Sequence, residues 1–258
     1  MLLPLVLLLV KSDTLAMNSM AVSLKDLIKT FLRHQAGVEV GRYRHTYMAR
    51  RQRLLMHHDI DLVIDVGAND GRYCRELRRS GYVGRLLSFE PANAAFASLK
   101  HVADLDPNWT VVQSAVGAES GEVVLNLAED PIFSSVVQAP TAHAMAAAPN
   151  SRFVDAELVP VDALDCLMRQ HEGSSTALKV DVQGFERQVL AGAEETVRAA
   201  ALVEIEMSPS AIYGDDQMLM PEMLEFFMSR GLTLVLVENL WPNHQTGAAF
   251  QFNGLFSR

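Results

Sequence analysis

Cysteine is scarce in this chain. Two residues, Cys74 and Cys166, among 258 cannot build a disulfide framework or a four-cysteine zinc site. Histidine spacings such as HExxH are absent, so a histidine-bound metal is not expected. Long apolar runs are missing too. The one candidate, Met1–Val10 (MLLPLVLLLV), is half of the roughly 20 residues a membrane span needs. Its basic residue, Lys11, follows the run instead of preceding it, and no small-x-small cleavage site comes after. Residues 1–20 therefore read first as an apolar, flexible extension or a mis-called start, with Met17 and Met20 as alternative starts, and a helix docked on the domain or a membrane surface, or a signal, as the other readings. No stable membrane insertion is expected, and the free thiols suit a reducing, cytoplasmic setting. Positive charge is in deficit: 22 Lys and Arg against 31 Asp and Glu, a net charge of −9, which disfavours nonspecific nucleic-acid binding. The deficit is uneven, with 15 basic against 9 acidic residues in 1–100 and 7 against 22 in 101–258. Solvated helix faces are the plain explanation of the basic first third.

What is present is ordinary globular composition, 49% hydrophobic and 21% charged, enough for one large domain. Residues 22–34 place Leu24, Leu27, Ile28, Phe31 and Leu32 at helical spacing. A second helix over 42–58 completes an N-terminal helical cap, 21–60. From Asp61 to the end short apolar runs alternate with helical segments, giving a domain over 61–258. Strands are expected at 61–66, 85–89, 109–115, 122–127, 157–161, 177–182, 201–207, 232–238 and 248–256. Helices are expected from Pro91 to 104, from Asp162, over 185–198 and over 218–229. Alternation implies parallel pairing through right-handed crossovers, and the last two strands, with no helix between them, form an antiparallel hairpin. The fold class is α/β: a doubly wound, Rossmann-like sheet of seven strands ending in that hairpin, the layout of the methyltransferase variant. Residues 128–154 form a long, weakly patterned loop of the kind that is functional or mobile.

Three motifs carry chemistry. Asp65-Val66-Gly67-Ala68-Asn69-Asp70-Gly71 sits where the first strand meets a helix. Gly67 permits a tight turn and close ligand approach, and Gly71 permits close helix packing. Asn69 stands where a dinucleotide fingerprint needs glycine against a pyrophosphate, and no Gly-Lys-Ser/Thr follows. The turn suits a nucleoside without phosphates, S-adenosylmethionine foremost, with Asp65 serving its ammonium group directly or through water. Glu90, followed by Pro91, ends the second strand, where a carboxylate can accept both ribose hydroxyls. In Leu178-Lys179-Val180-Asp181-Val182-Gln183-Gly184, Lys179 and Asp181 point to one face near a strand's carboxyl end. Glu204 and Glu206 repeat the pattern on the next strand, so several carboxylates are expected to converge on one cleft. The plain alternative is a buried Lys179–Asp181 ion pair tying strand to helix.

DVGANDG, SFEP at 88–91, VPVDALD at 159–165 and LKVDVQGFERQVLAGA at 178–193 resemble the FkbM family of S-adenosylmethionine-dependent methyltransferases, over about Asp61 to Glu206. The resemblance implies O-methylation, often of sugar hydroxyls in glycans or of natural products. It also implies that Phe133-Ser134-Ser135-Val136 matches the family's serine-containing loop near the cofactor, and so marks Ser135 as cofactor-binding. One departure stands out: the family usually has Glu where Gln183 stands.

The expected reaction moves a methyl group from sulfonium to an acceptor hydroxyl, helped by alignment and a general base. Asp181 is the first candidate base, Glu206 the second, and Lys179 the electrostatic support. Gly67, Ala68, Asn69, Gly71, Glu90, Pro91, Asp65, Ser135 and Asp181 are the expected cofactor contacts. No metal ligand is predicted, although a divalent ion held by Asp181 and Glu206 could replace the base. His143, in the long loop, could also reach the site. Alternatives are an NAD(P)-dependent dehydrogenase and a non-catalytic cofactor-binding protein on the same fold. The partner is a small-molecule or glycan hydroxyl acceptor; the oligomeric state is open.

Overall fold

The computed structural model describes residues 24–36, 43–137, 140–142, 145, 148–171, 173–214, 216–242 and 248–258. The chain divides into two compact units, Met1–Thr46 and Tyr47–Arg258, so the division falls inside the expected 21–60 cap. In the first unit, α1 (Leu24–Ala36) is an amphipathic helix, followed by a single 3-10 turn at Tyr43–His45. The 1–20 extension lies outside the described residues.

The second unit holds the sheet. Its elements run α2 (Tyr47–His57), β1 (Leu62–Val66), α3 (Arg72–Arg79), β2 (Arg85–Phe89), α4 (Asn93–Ala103), β3 (Trp109–Val112), β4 (Ala115–Gly117), β5 (Gly121–Ala128) and β6 (Phe153–Ala163). Then come α5 (Leu164–Met168), β7 (Thr176–Val180), α6 (Glu186–Ala191), α7 (Glu194–Ala199), β8 (Leu202–Met207), α8 (Met220–Met228), β9 (Thr233–Pro242) and β10 (Ala249–Ser257). Seven strands form one sheet in the order β3-β2-β1-β7-β8-β10-β9. The first five are parallel neighbours, and the closing β9–β10 hairpin is antiparallel, as the alternation predicts. The sheet lies between two helical layers. Ile64, Leu178 and Ile205 face Val189, Val197 and Phe227 from α6, α7 and α8. On the other face Val63, Ala177 and Leu202 meet Leu55, Leu77 and Leu99 from α2, α3 and α4. Burial on both faces is why these strands read as apolar runs.

Four elements differ from their sequence reading. The run 109–115 is two strands in different sheets: β3 joins the large sheet, while β4 joins a three-stranded sheet ordered β4-β6-β5. Helix α4 begins at Asn93, after an extended Ala92, because the Glu90 carboxylate accepts the Ala92 N–H; Pro91 therefore precedes the helix instead of opening it. Strand β6 runs through Asp162 and delays α5 to Leu164. The single helix expected over 185–198 breaks into α6 and α7 at Gly192 and Ala193. A Cβ on Gly192 would meet the Gly117 carbonyl oxygen at 2.0 Å, so the chain passes too close to β4 for a continuous helix of larger residues.

Candidate active site

Parallel registry aligns two rows of polar residues. Ser88, Asp65, Lys179 and Glu204 are direct neighbours across β2, β1, β7 and β8, all on the face toward α2 and α3. Two positions further along the same strands come Glu90, Gly67, Asp181 and Glu206, at the carboxyl edge where open α/β sheets bind ligands. The first row is buried, while the second borders or approaches a cleft of about 410 Å³, within the range of small-molecule sites.

The cleft's floor is the β1–α3 turn. Gly67 has φ +81°, and a Cβ there would lie 1.8 Å from the Asp181 carbonyl oxygen, so only glycine fits. Asn69 is also left-handed, at φ +49°, a conformation asparagine tolerates. Its backbone N–H donates to Glu90 Oε2 at 2.7 Å, and the Ala92 N–H donates to Oε1 at 2.9 Å. Each oxygen keeps a lone pair for a ligand. Burial pushes the Glu90 carboxyl up to about 7, against the pull of those two N–H donors.

Of the predicted residues, Gly67, Asn69, Glu90, Pro91, Ser135 and Asp181 line the cleft. Ser135 Oγ donates to the Gln183 carbonyl at 2.6 Å, which ties the 133–136 segment to the loop after β7. Ala68, Gly71 and Asp65 do not line it. Ala68 is buried, its N–H bonded to Phe89 O. Gly71 faces Leu99 and Trp109 and is a packing glycine. Asp65 is fully buried; Lys179 Nζ lies 3.2 Å from its Oδ1 and 3.3 Å from Asp181 Oδ2. Burial alone would lower the Lys179 ammonium, but Asp65 and Asp181 outweigh it and hold it above its ordinary value. The buried ion pair weighed against a catalytic role is thus present, and it is shared by two carboxylates.

Glu204 does not join the cleft. It accepts from Tyr47 Oη at 3.0 Å, Arg51 Nη1 at 3.3 Å and Tyr73 Oη at 2.8 Å. The expected convergence is split because helix α2 brings a cation and a phenol, Arg51 and Tyr47, and α3 a second phenol, Tyr73, over the first polar row. Glu206 is buried beyond the cleft wall, and burial together with the Asp181 charge raises its carboxyl well above the usual range. It reaches Asp181 only through Gln183, whose Nε2 donates to Asp181 Oδ1 at 2.7 Å and to Glu206 Oε2 at 3.0 Å. An N–H donor therefore fills the position between the carboxylates that a cation would take, and these residues do not fit a divalent ion held by Asp181 and Glu206. Among the described residues no group of three or more His, Cys, Asp or Glu is arranged to hold a metal. His143 lies outside the described residues.

Two participants carry no sequence signal. Glu157 on β6 lines the cleft and accepts the Asn93 N–H at 2.9 Å. Tyr213, 2% exposed, donates its hydroxyl to Gln183 Oε1. Asp70, Glu90, Glu157 and Asp181 all border the cleft, and among its described lining residues there is no Lys, Arg or His. The described lining is therefore acidic and rich in hydrogen-bond acceptors.

The family described as the methyltransferase FkbM domain matches residues 65–233. Among solved structures, a methyltransferase FkbM from Methylobacillus flagellatus is 16% identical, covering 98% of this chain and 58% of that one, with a TM-score of 0.51. This chain thus spans 58% of that protein's length, and the likeness is one of fold. Aeropyrum pernix fibrillarin, solved with S-adenosyl-L-methionine, is 13% identical over 76% of this chain and 66% of its own, with a TM-score of 0.43. An rRNA methylase from Streptococcus thermophilus is 14% identical over 86% and 99%, with a TM-score of 0.44. No curated protein matches the sequence.

Proposed function

The chain belongs to the FkbM methyltransferase family, and from that premise we propose that it is an S-adenosylmethionine-dependent O-methyltransferase acting on a hydroxyl of a sugar, glycan or natural product. The observation that carries this reading is the charge of the cleft: four carboxylates and no basic side chain among the described lining residues. A dinucleotide would set its pyrophosphate against those carboxylates, which argues against the dehydrogenase alternative; a sulfonium nucleoside meets them with opposite charge.

When bound, the cofactor supplies a methyl group activated by the positive sulfur. Glu90, with one lone pair free on each oxygen, accepts the two ribose hydroxyls. Gly67, lacking a side chain, lets the ligand lie against the backbone. Asp181, its side chain 30% exposed, faces the cleft as the proton acceptor for the attacking hydroxyl. Lys179 balances its charge from below, and Glu206 acts behind it and not on the substrate.

Titration calorimetry with S-adenosylhomocysteine and with NAD tests the cofactor. Saturable binding of S-adenosylhomocysteine and none of NAD is expected; tighter binding of NAD rejects the reading.

A further inference from the structure

Gln183 lies at the centre of the site with its carbonyl and both polar atoms of its side chain engaged. It is 8% exposed, and its backbone is left-handed at φ +54°. Its carbonyl accepts from Ser135, its side-chain oxygen accepts from Tyr213, and its amide nitrogen donates to Asp181 and Glu206. The amide's orientation follows from this company. Turned over, it would press its oxygen against the Asp181 carboxylate oxygen at 2.7 Å, acceptor against acceptor, and take the acceptor away from the Tyr213 hydroxyl. Tyr213 is held in place by the next residue: Gly184, at φ +100°, packs so closely that a Cβ there would lie 2.7 Å from Tyr213 Cβ.

We propose that Gln183 is the positioning residue of the site: its amide bridges Asp181 and Glu206 where a divalent cation would otherwise sit and fixes the cleft-facing Asp181 carboxylate. With Oδ2 beside Lys179 and Oδ1 on Gln183, that carboxylate has no free rotation. The consequence for the reaction rests on the reading of Asp181 as the group that meets the acceptor hydroxyl; the bridge itself does not. The charged and titratable groups facing it are Lys179 and Asp181 at the end of β7, Glu186 at the start of α6, Glu206 on β8, and Tyr213.

The test compares Gln183→Glu, Gln183→Met and wild type, full chain, by thermal melting from pH 6 to pH 9 with and without Mn²⁺. Gln183→Glu places a third carboxylate in a cluster that must then take up a proton. A carboxyl raised in the folded state contributes stability at low pH that is lost as pH rises through its folded value. The variant's melting temperature is expected to fall at least about 4 °C more than that of wild type across this range, and Mn²⁺ should restore it at pH 9. Gln183→Met, which leaves the two carboxylates unbridged, should show the same sign more weakly, and it carries the test if the Glu variant does not fold. Wild type should not respond to Mn²⁺. Variant profiles that superpose on wild type, or a wild type that Mn²⁺ stabilises equally, overturn the proposal; a filler role for Gln183 would not make melting respond to the ion. S-adenosylhomocysteine titrated into wild type reports on the cofactor reading separately, so either idea can fail while the other stands.

Discussion

Glu90 holds a proton near neutrality in a place where a ligand needs the bare carboxylate. Its ordinary value is 4.5 and burial raises it to about 7. The folded state therefore binds the extra proton between those values, and the stability this contributes is lost as pH rises through 7. Ribose hydroxyls donate to the ionised form, so binding releases that proton. Affinity for S-adenosylhomocysteine is expected to rise about tenfold or more from pH 5.5 to pH 8 and then level off. Glu90→Gln should weaken binding at pH 8 by about ten- to a hundredfold and abolish the slope, which calorimetry in two buffers of different ionisation enthalpy would measure. A slope that survives the substitution assigns the proton elsewhere. Residues such as Gly67, Asn69, Glu90 and Asp181 were legible in the sequence because each sits at a strand end in a recognisable spacing. Gln183 stood out only as a departure from a resemblance. Tyr213 and Glu157 could not be read, since they reach the site from segments whose local pattern says nothing of where the fold delivers them.

Helix α2 is tied to the sheet by charge as well as by apolar packing. Arg51 and Glu204 have side chains 5% and 3% exposed, and Arg51 also lies 4.6 Å from the centre of the Tyr73 ring. Removing one partner of such a pair leaves the other buried without compensation, at a cost of about 3–5 kcal/mol. Arg51→Met should lower the melting temperature by about 10 °C, and adding Glu204→Gln should recover part of the loss. A double variant whose loss equals the sum of the losses of Arg51→Met and Glu204→Gln would show that the pair is not coupled. None of this follows from periodicity, which places α2 but not what its polar residues meet. Element types were readable where burial is two-sided or the period is clear, as for β1, β2 and β8. Boundaries went astray where a long-range contact sets them: Glu90 delays α4, and Gly192 against β4 interrupts α6 and α7.

The seven-strand order and the closing hairpin follow from the alternation of runs along the chain, whereas the second, three-stranded sheet was hidden because β4 continues β3 after only two residues. Both polar rows, both hydrophobic layers and the cleft fall within Tyr47–Arg258. A chain beginning at Tyr47 is therefore expected to melt cooperatively and to bind S-adenosylhomocysteine within about threefold of the full chain, a difference under 1 kcal/mol; loss of the cooperative transition would show that the unit needs residues 1–46. The buried row of Ser88, Asp65, Lys179 and Glu204 bears on how the protein assembles. Its members come from strands far apart in the chain, so the row closes only after slow, long-range pairing. A sheet holding β1 without β7 would bury Asp65 with no counter-charge, and one holding β7 without β1 would deprive Lys179 of its partner. Half-built sheets are thus penalised where a purely apolar sheet would let them linger and aggregate, and the charges beneath the cleft act during folding as a checkpoint that only the complete strand order passes.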